Sequence, residues 1–100
     1  LYVNDLSRFI ELAIKKQKSK YKIYNVGRGK GINISNLVKK VIKFSNKKIK
    51  IIYDVNKPTL KTNIVLNCHK AKKELGWSPK TTLDQGIVKS INWYIKNIKS

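Results

Sequence analysis

Few residues of this 100-residue chain could act as catalysts or metal ligands, and their spacing works against both roles. Cys68 and His69 are the only cysteine and the only histidine, and they are adjacent. Neighbours on a helix point in different directions. With no second Cys or His to complete a tetrahedral set, zinc is not indicated. A cysteine nucleophile would need a base brought to it in space, and the sole histidine is its neighbour. The five acids, Asp5, Glu11, Asp54, Glu74 and Asp84, lie far apart, without an acid/base motif. Asp5 and Asp84 read as helix starts, where a carboxylate meets the positive end of the dipole. "GRGKG" (Gly27 to Gly31) could cradle a phosphate. It lacks the spacing of the nucleotide-binding fingerprints and the Lys-Ser/Thr pair of a P-loop, so it reads as a strand-to-helix turn. No catalytic residue and no metal site is assigned.

The net charge of +18 comes from 23 Lys+Arg against 5 Asp+Glu. Such a balance ordinarily suggests a polyanion. Two features argue against nucleic acid. Only Arg8 and Arg28 are arginines, the residue whose fork suits base edges. Lys, Ile and Asn together fill 45 of the 100 positions, as a codon bias across a proteome would make them. No apolar run approaches the ~18 residues of a membrane span. A lone cysteine excludes an internal disulfide and fits a reducing cytoplasm. The chain opens on Leu1 and contains no methionine, and is read as a piece of a longer protein.

The elements that would carry these residues follow from pattern. "YVNDLSRFIELAIKKQ" is helical, with Leu6, Phe9, Ile10 and Ala13 at helical spacing and Asn4 or Asp5 as its start. "YKIYNV" predicts a short strand closed by the glycines, and "KIKIIYD" a second. Between them "NISNLVKKVIKFS" is a helix capped by Asn33, with an apolar stripe of Ile34, Leu37, Val38, Val41 and Ile42. "VNKPTLKTN" is a loop, because Pro58 forbids a central strand. "IVL" is a possible third extended piece. Asn67 caps a helix running to Leu75, Gly76 takes the left-handed position after it, and Pro79 prevents continuation. Thr82 with Gln85 forms a capping box for the last helix. Leu83, Ile87, Ile91, Tyr94 and Ile98 continue one face of it, and Trp93 and Tyr94 read as core. The expected fold is α+β: one lobe, residues 1–100, of about four helices with two or three short strands. The Gly76-Trp77-Ser78-Pro79 joint is expected to bury Trp77 and fold the last two helices against each other.

Four segments in order resemble the C-terminal part of the extended short-chain dehydrogenases/reductases, the NAD(P)-dependent nucleotide-sugar epimerases and dehydratases. These are "YVNDL" (Tyr2 to Leu6), "YNVGRG" (Tyr24 to Gly29), "KAKKELGWSPKTTLDQGI" (Lys70 to Ile87) and "INWYIKN" (Ile91 to Asn97). "YDVNKPT" (Tyr53 to Thr59) is similar to the GDP-fucose-synthase-like branch. The resemblance implies a two-part, homodimeric enzyme acting on a nucleotide sugar with NAD or NADP. A Rossmann domain holds the cofactor and carries a Tyr-x-x-x-Lys pair, and the C-terminal lobe closes over the substrate. This piece would then lack both the cofactor site and the Tyr-x-x-x-Lys pair, bind no cofactor and be inactive alone.

By position in the family, the substrate contacts fall in "NKPTLKTN": Lys57, Thr59 after the proline, Lys61 and Asn63. Asn63 stands near where the family commonly has an arginine, and an amide cannot give a diphosphate the bidentate grip of a guanidinium. Lys57 or Lys61 could compensate as point charges. Two alternatives stand beside this reading: a stand-alone basic module binding nucleic acid or another polyanion, and a degenerate lobe kept for interaction.

Overall fold

Among the described residues, hydrogen bonds and caps mark out four helices. The computed structural model describes residues 1–58 and 64–98. In chain order the helices are α1 (Val3–Lys16), α2 (Ile34–Ser45), α3 (His69–Leu75) and α4 (Leu83–Asn97). Among the described residues there is no strand, so the architecture is all-α and the expected α+β lobe is corrected. The reason is physical. A strand exists through the ladder it shares with a neighbour, and residues 21–26 and 49–53 have no such ladder here.

The helix ends follow local chemistry. The Asn33 side chain accepts from Asn36 N–H at 2.8 Å. Thr82 and Gln85 exchange side-chain and backbone bonds as a complete capping box. The N-cap of α3 is Cys68, without a side-chain cap bond, and not the expected Asn67, whose Oδ1 accepts from His69 N–H at 3.0 Å. At the far end of α3, Gly76 adopts φ +69° and donates to the Lys72 carbonyl, while Trp77 N–H reaches back to Ala71. The start of α1 differs from expectation. Its N-cap is Tyr2, with no side-chain cap, and Asp5 is used elsewhere.

The core is small and lies between α1 and α3. Ala71, Leu75 and Trp77 are its buried apolar residues, with Phe9, Leu12, Ala13, Tyr24, Val26 and Cys68 packed on them. Phe9 meets both Tyr24 and Trp77 edge to face, at centroid distances of 5.9 and 5.7 Å. The second packed pair is α2 with α4, tied by Lys40 to Asp84 at 2.7 Å. No contact joins α3 to α4. The joint at residues 76–79 therefore does bury Trp77, but it sends the last two helices to different partners instead of folding them together.

The result is a slab of 50 × 36 × 18 Å. Its radius of gyration is 17.0 Å, against about 13 Å for a compact domain of this length. Much apolar surface is left uncovered. On α1, Phe9 and Ala13 face the core, whereas Leu6, Ile10 and Ile14, at successive i+4 steps, are 40%, 49% and 78% exposed. Trp93 and Tyr94, expected in the core, are exposed.

Candidate substrate-facing edge

Two structured regions bear on function: a buried knot that fixes the frame, and an edge where the glycine turn runs beside residues 65–68. The knot centres on Asp5, the one buried charged residue among those described, at 3% exposure. Its Oδ1 accepts from Lys80 N–H and its Oδ2 from Thr81 N–H, each at 3.0 Å. Arg8, one turn further along α1, lies 3.4 Å from Oδ1, donates to the Ser78 carbonyl and covers the Trp77 ring at 5.9 Å. Burial by itself pushes the Asp5 carboxyl up. The Lys80 and Thr81 N–H donors, together with Arg8, outweigh it and hold the group below its ordinary value. Every strong acceptor is thus used internally, which makes Asp5 a brace and not a free base. Sequence reasoning placed Asp5 at a helix start. Its position in the quoted YVNDL segment was the signal, but its partners lie 75 and 76 residues away.

The glycine turn runs beside the segment that leaves the predicted substrate loop. Cys68 Sγ donates to the Gly27 carbonyl at 3.5 Å and Asn25 Nδ2 to the Asn67 carbonyl at 3.5 Å. A Cβ on Gly31 would stand 3.2 Å from Val65 Cγ2, so a side chain there would press on residue 65. Gly29, at φ +77°, turns the chain. Arg28 folds over its own loop and donates to the Lys30 and Gly31 carbonyls at 3.1 and 3.3 Å. Beyond the turn, Asn33 starts α2. In the first turn of that helix Ser35 Oγ lies 3.1 Å from the Tyr53 hydroxyl. Asp54 then closes a tight turn, its Oδ1 accepting from Asn56 N–H and its carbonyl from Lys57 N–H.

Of the predicted contacts, Lys57 is described and exposed at the end of that turn. Thr59, Lys61 and Asn63 lie outside the described residues. One expectation needs correction. A literal Tyr-x-x-x-Lys spacing does occur, from Tyr53 to Lys57. Such a pair cooperates when one helix face aligns positions i and i+4. Here residues 53–57 form an unhelical stretch ending in a turn, and Tyr53 is bonded to Ser35, so the spacing carries no catalytic pair. Among the described residues no group of three His, Cys, Asp or Glu could hold a metal. No described helix is long and apolar enough to cross a membrane.

Comparison with known proteins covers nearly the whole chain. No protein-family model matches it. A protein named "Probable GDP-L-fucose synthase 1" from Oryza sativa subsp. japonica is 31% identical over 103 residues, which are 100% of this chain and 30% of the relative. The dTDP-glucose 4,6-dehydratase of Salmonella typhimurium is 28% identical over 105 residues, 97% of this chain and 29% of the relative. The crystal structure of UDP-glucose 4-epimerase from Bifidobacterium longum, in complex with NAD+ and UDP, superposes with a TM-score of 0.82 at 27% identity. It covers 95% of this chain and 29% of that one. The chain thus spans about 30% of the length of the relatives it matches.

Proposed function

We propose that this chain, which corresponds over nearly its whole length to the C-terminal part of the extended short-chain dehydrogenases/reductases, is the nucleotide-sugar lobe of an NAD(P)-dependent epimerase, dehydratase or reductase. The observation that carries the reading is the whole-chain likeness in fold and sequence to enzymes acting on nucleotide sugars. The slab shape agrees with it, because a thin chain with exposed apolar faces is what one wall of a cleft looks like without the other.

Within that reading the edge at the start of α2 faces the substrate. The glycine turn, the Tyr53–Lys57 stretch and the exit of the 59–63 loop all converge there. Lys57, exposed at the end of the Asp54 turn, supplies a positive charge for a diphosphate. Thr59, Lys61 and Asn63 belong to the same proposed contact set: Thr59 as the polar residue after the proline that meets the substrate, Lys61 as a second point charge for the diphosphate, and Asn63 near the place of the family's arginine. The Asp5–Trp77 knot acts at a distance, by fixing the angle between α1 and the start of α4.

In the same reading NAD or NADP and the catalytic groups belong to the remainder of the parent enzyme, and no chemical step is drawn through this chain. The reducing compartment that suits the lone Cys68 is the cytoplasm, and a homodimeric parent is part of the same reading.

The test is to express the complete reading frame that contains this chain and titrate it with UDP-, GDP- and dTDP-sugars by calorimetry. One of the three is expected to bind with micromolar affinity, and NAD or NADP to bind separately. Protein that is folded yet binds no nucleotide sugar at roughly millimolar concentration would overturn the proposal.

A further inference from the structure

The segment that carries Lys57 is held in place by very little. Residues 49–53 have no strand partner among those described. Burial does not fix them either, since Ile52, Tyr53 and Val55 are 83%, 62% and 86% exposed. Asp54 shapes the turn from within. Its Oδ1 accepts from Asn56 N–H at 3.1 Å and its carbonyl from Lys57 N–H at 3.4 Å. Those bonds set the form of the turn and not its place on the protein. Among the described residues, the hydrogen bond that ties 49–57 to another element is the one between Tyr53 and Ser35. The two hydroxyl oxygens lie 3.1 Å apart. Ser35 is a firm point of attachment. It sits in the first turn of α2, where the Asn33 side chain caps Asn36 N–H. That helix is packed on α4 and tied to it by Lys40 and Asp84.

We propose that Ser35 and Tyr53 are positioning residues for the diphosphate contact: the bond between their hydroxyls holds the Asp54–Lys57 turn on α2, so that the Lys57 ammonium is already in place when the ligand arrives. The inference rests on the lobe reading above and deepens it. Its physical basis is preorganisation. A site that is competent for only a fraction of the time binds with its affinity reduced by that fraction, and a tether raises the fraction. The hydroxyl is the part of Tyr53 that has a partner, because the ring is exposed. Water replaces a hydrogen bond between exposed groups at little net cost to folding. The effect of this bond is therefore local, felt in ligand affinity and not in the stability of the fold. Either oxygen can donate to the other, so a hydroxyl is needed at both positions, whatever else the side chains carry.

Calorimetry on the protein expressed from the complete reading frame tests this. The probes are UDP, GDP and dTDP, which carry the diphosphate without the sugar, and the tightest binder of the three is carried through the variants. Tyr53→Phe and Ser35→Ala are each expected to weaken binding about three- to fivefold, with the melting temperature within about 2 °C of the parent. Ser35→Thr keeps a hydroxyl and should bind within about twofold of the parent. In a Lys57→Ala background, Tyr53→Phe should cost less than about 1.5-fold, because nothing is left to position. Four results would overturn the inference. Unchanged affinity in both hydroxyl variants, with Lys57→Ala still weakened, leaves the Lys57 contact standing without its tether. An equal loss from Tyr53→Phe with and without Lys57 means that Tyr53 does not act through it. Unchanged affinity in Lys57→Ala removes the contact and the tether together. Folded protein that binds none of the three probes at roughly millimolar concentration removes the lobe reading as well.

Discussion

The Trp77 indole Nε1 donates to the Asp5 carbonyl oxygen across 2.8 Å, joining residues 72 positions apart. The bond is buried, and the Trp77 ring it orients is fully buried too. One side chain thus closes the main core and locks α1 to the segment that leads into α4. Trp77→Ala is expected to cost about 3–5 kcal/mol, as loss of a large core aromatic does. Trp77→Phe keeps much of the volume but removes the N–H that the Asp5 carbonyl accepts, and should cost less, about 1 kcal/mol. Urea unfolding followed by circular dichroism measures both. Equal losses for the two variants would mean that the hydrogen bond alone, and not packing, holds the joint.

Asp5 makes stability depend on pH with a definite sign. Its folded-state carboxyl is held below the ordinary value, so the unfolded chain binds the proton more readily. The contribution is therefore fully present above the unfolded carboxylate range of about 4. It is lost as pH falls through the depressed folded value. Asp5→Asn should flatten this part of the profile and lower stability at neutral pH, because an amide can accept one of the Lys80 and Thr81 N–H groups but opposes the other with its own donors. Thermal melts from pH 7 to pH 2 would check it. A variant with the same acid slope as the parent chain would remove Asp5 from the account.

Gly76 offers a cleaner test of backbone geometry. A Cβ there would find only Lys16 Nζ, at 3.8 Å, the mobile end of a long side chain. Space is therefore available, and the penalty for Gly76→Ala arises from φ +69° alone. It is expected near 1–2 kcal/mol. A stabilised variant, read by the same urea unfolding, would show that α3 does not end in this left-handed turn.

What could be read from the sequence, and what could not, divides by distance along the chain. Asn33, Gly76 and the Thr82–Gln85 box act within four residues, and their residue types announce them. Trp77 was legible as buried because its place after Gly76 turns it back on α3. The Asp5 knot was not, since a carboxylate near a helix start has a sufficient local explanation. The β-branched stretches at 21–26 and 49–53 have strand propensity, yet propensity supplies no partner strand. Tyr94 shares one face of α4 with Leu83, Ile87 and Ile91, whereas Trp93, its neighbour, points elsewhere, and both are exposed, so apolar type alone did not mark a core position. Of the substrate contacts, the sequence alone could rank Lys57, Thr59, Lys61 and Asn63 only through family resemblance, because exposed lysines and amides carry no distinguishing pattern here.

The predicted role of Lys57 separates binding from chemistry. In the enzyme expressed from the complete reading frame, Lys57→Ala removes a point charge that meets the diphosphate in ground state and transition state alike. The expected result is a KM for nucleotide sugar raised about tenfold, or 1.4 kcal/mol, with kcat changed less than about twofold. Lys57→Arg should restore most of the loss. A fall in kcat at unchanged KM, measured by steady-state kinetics, would contradict a purely binding role.

The charge of +18 demands its own test, because it is the one feature favouring a polyanion over a sugar nucleotide. Several lysines are already engaged within the chain: Lys15 with Glu11, Lys22 with Glu74, Lys40 with Asp84, and Lys70 with the Ile23 carbonyl. The remaining surface cations still attract any phosphate backbone, so weak binding to duplex DNA is expected at low salt. Such binding works by counterion release and falls steeply with ionic strength. Raising salt from about 50 to 200 mM should abolish DNA binding, with no preference among sequences, while a nucleotide-sugar complex of the full enzyme loses less than about tenfold. Fluorescence anisotropy with labelled duplexes reads the first, and calorimetry the second. DNA affinity that survives at 200 mM and discriminates between sequences would transfer the function of this lysine-rich surface from solubility to recognition.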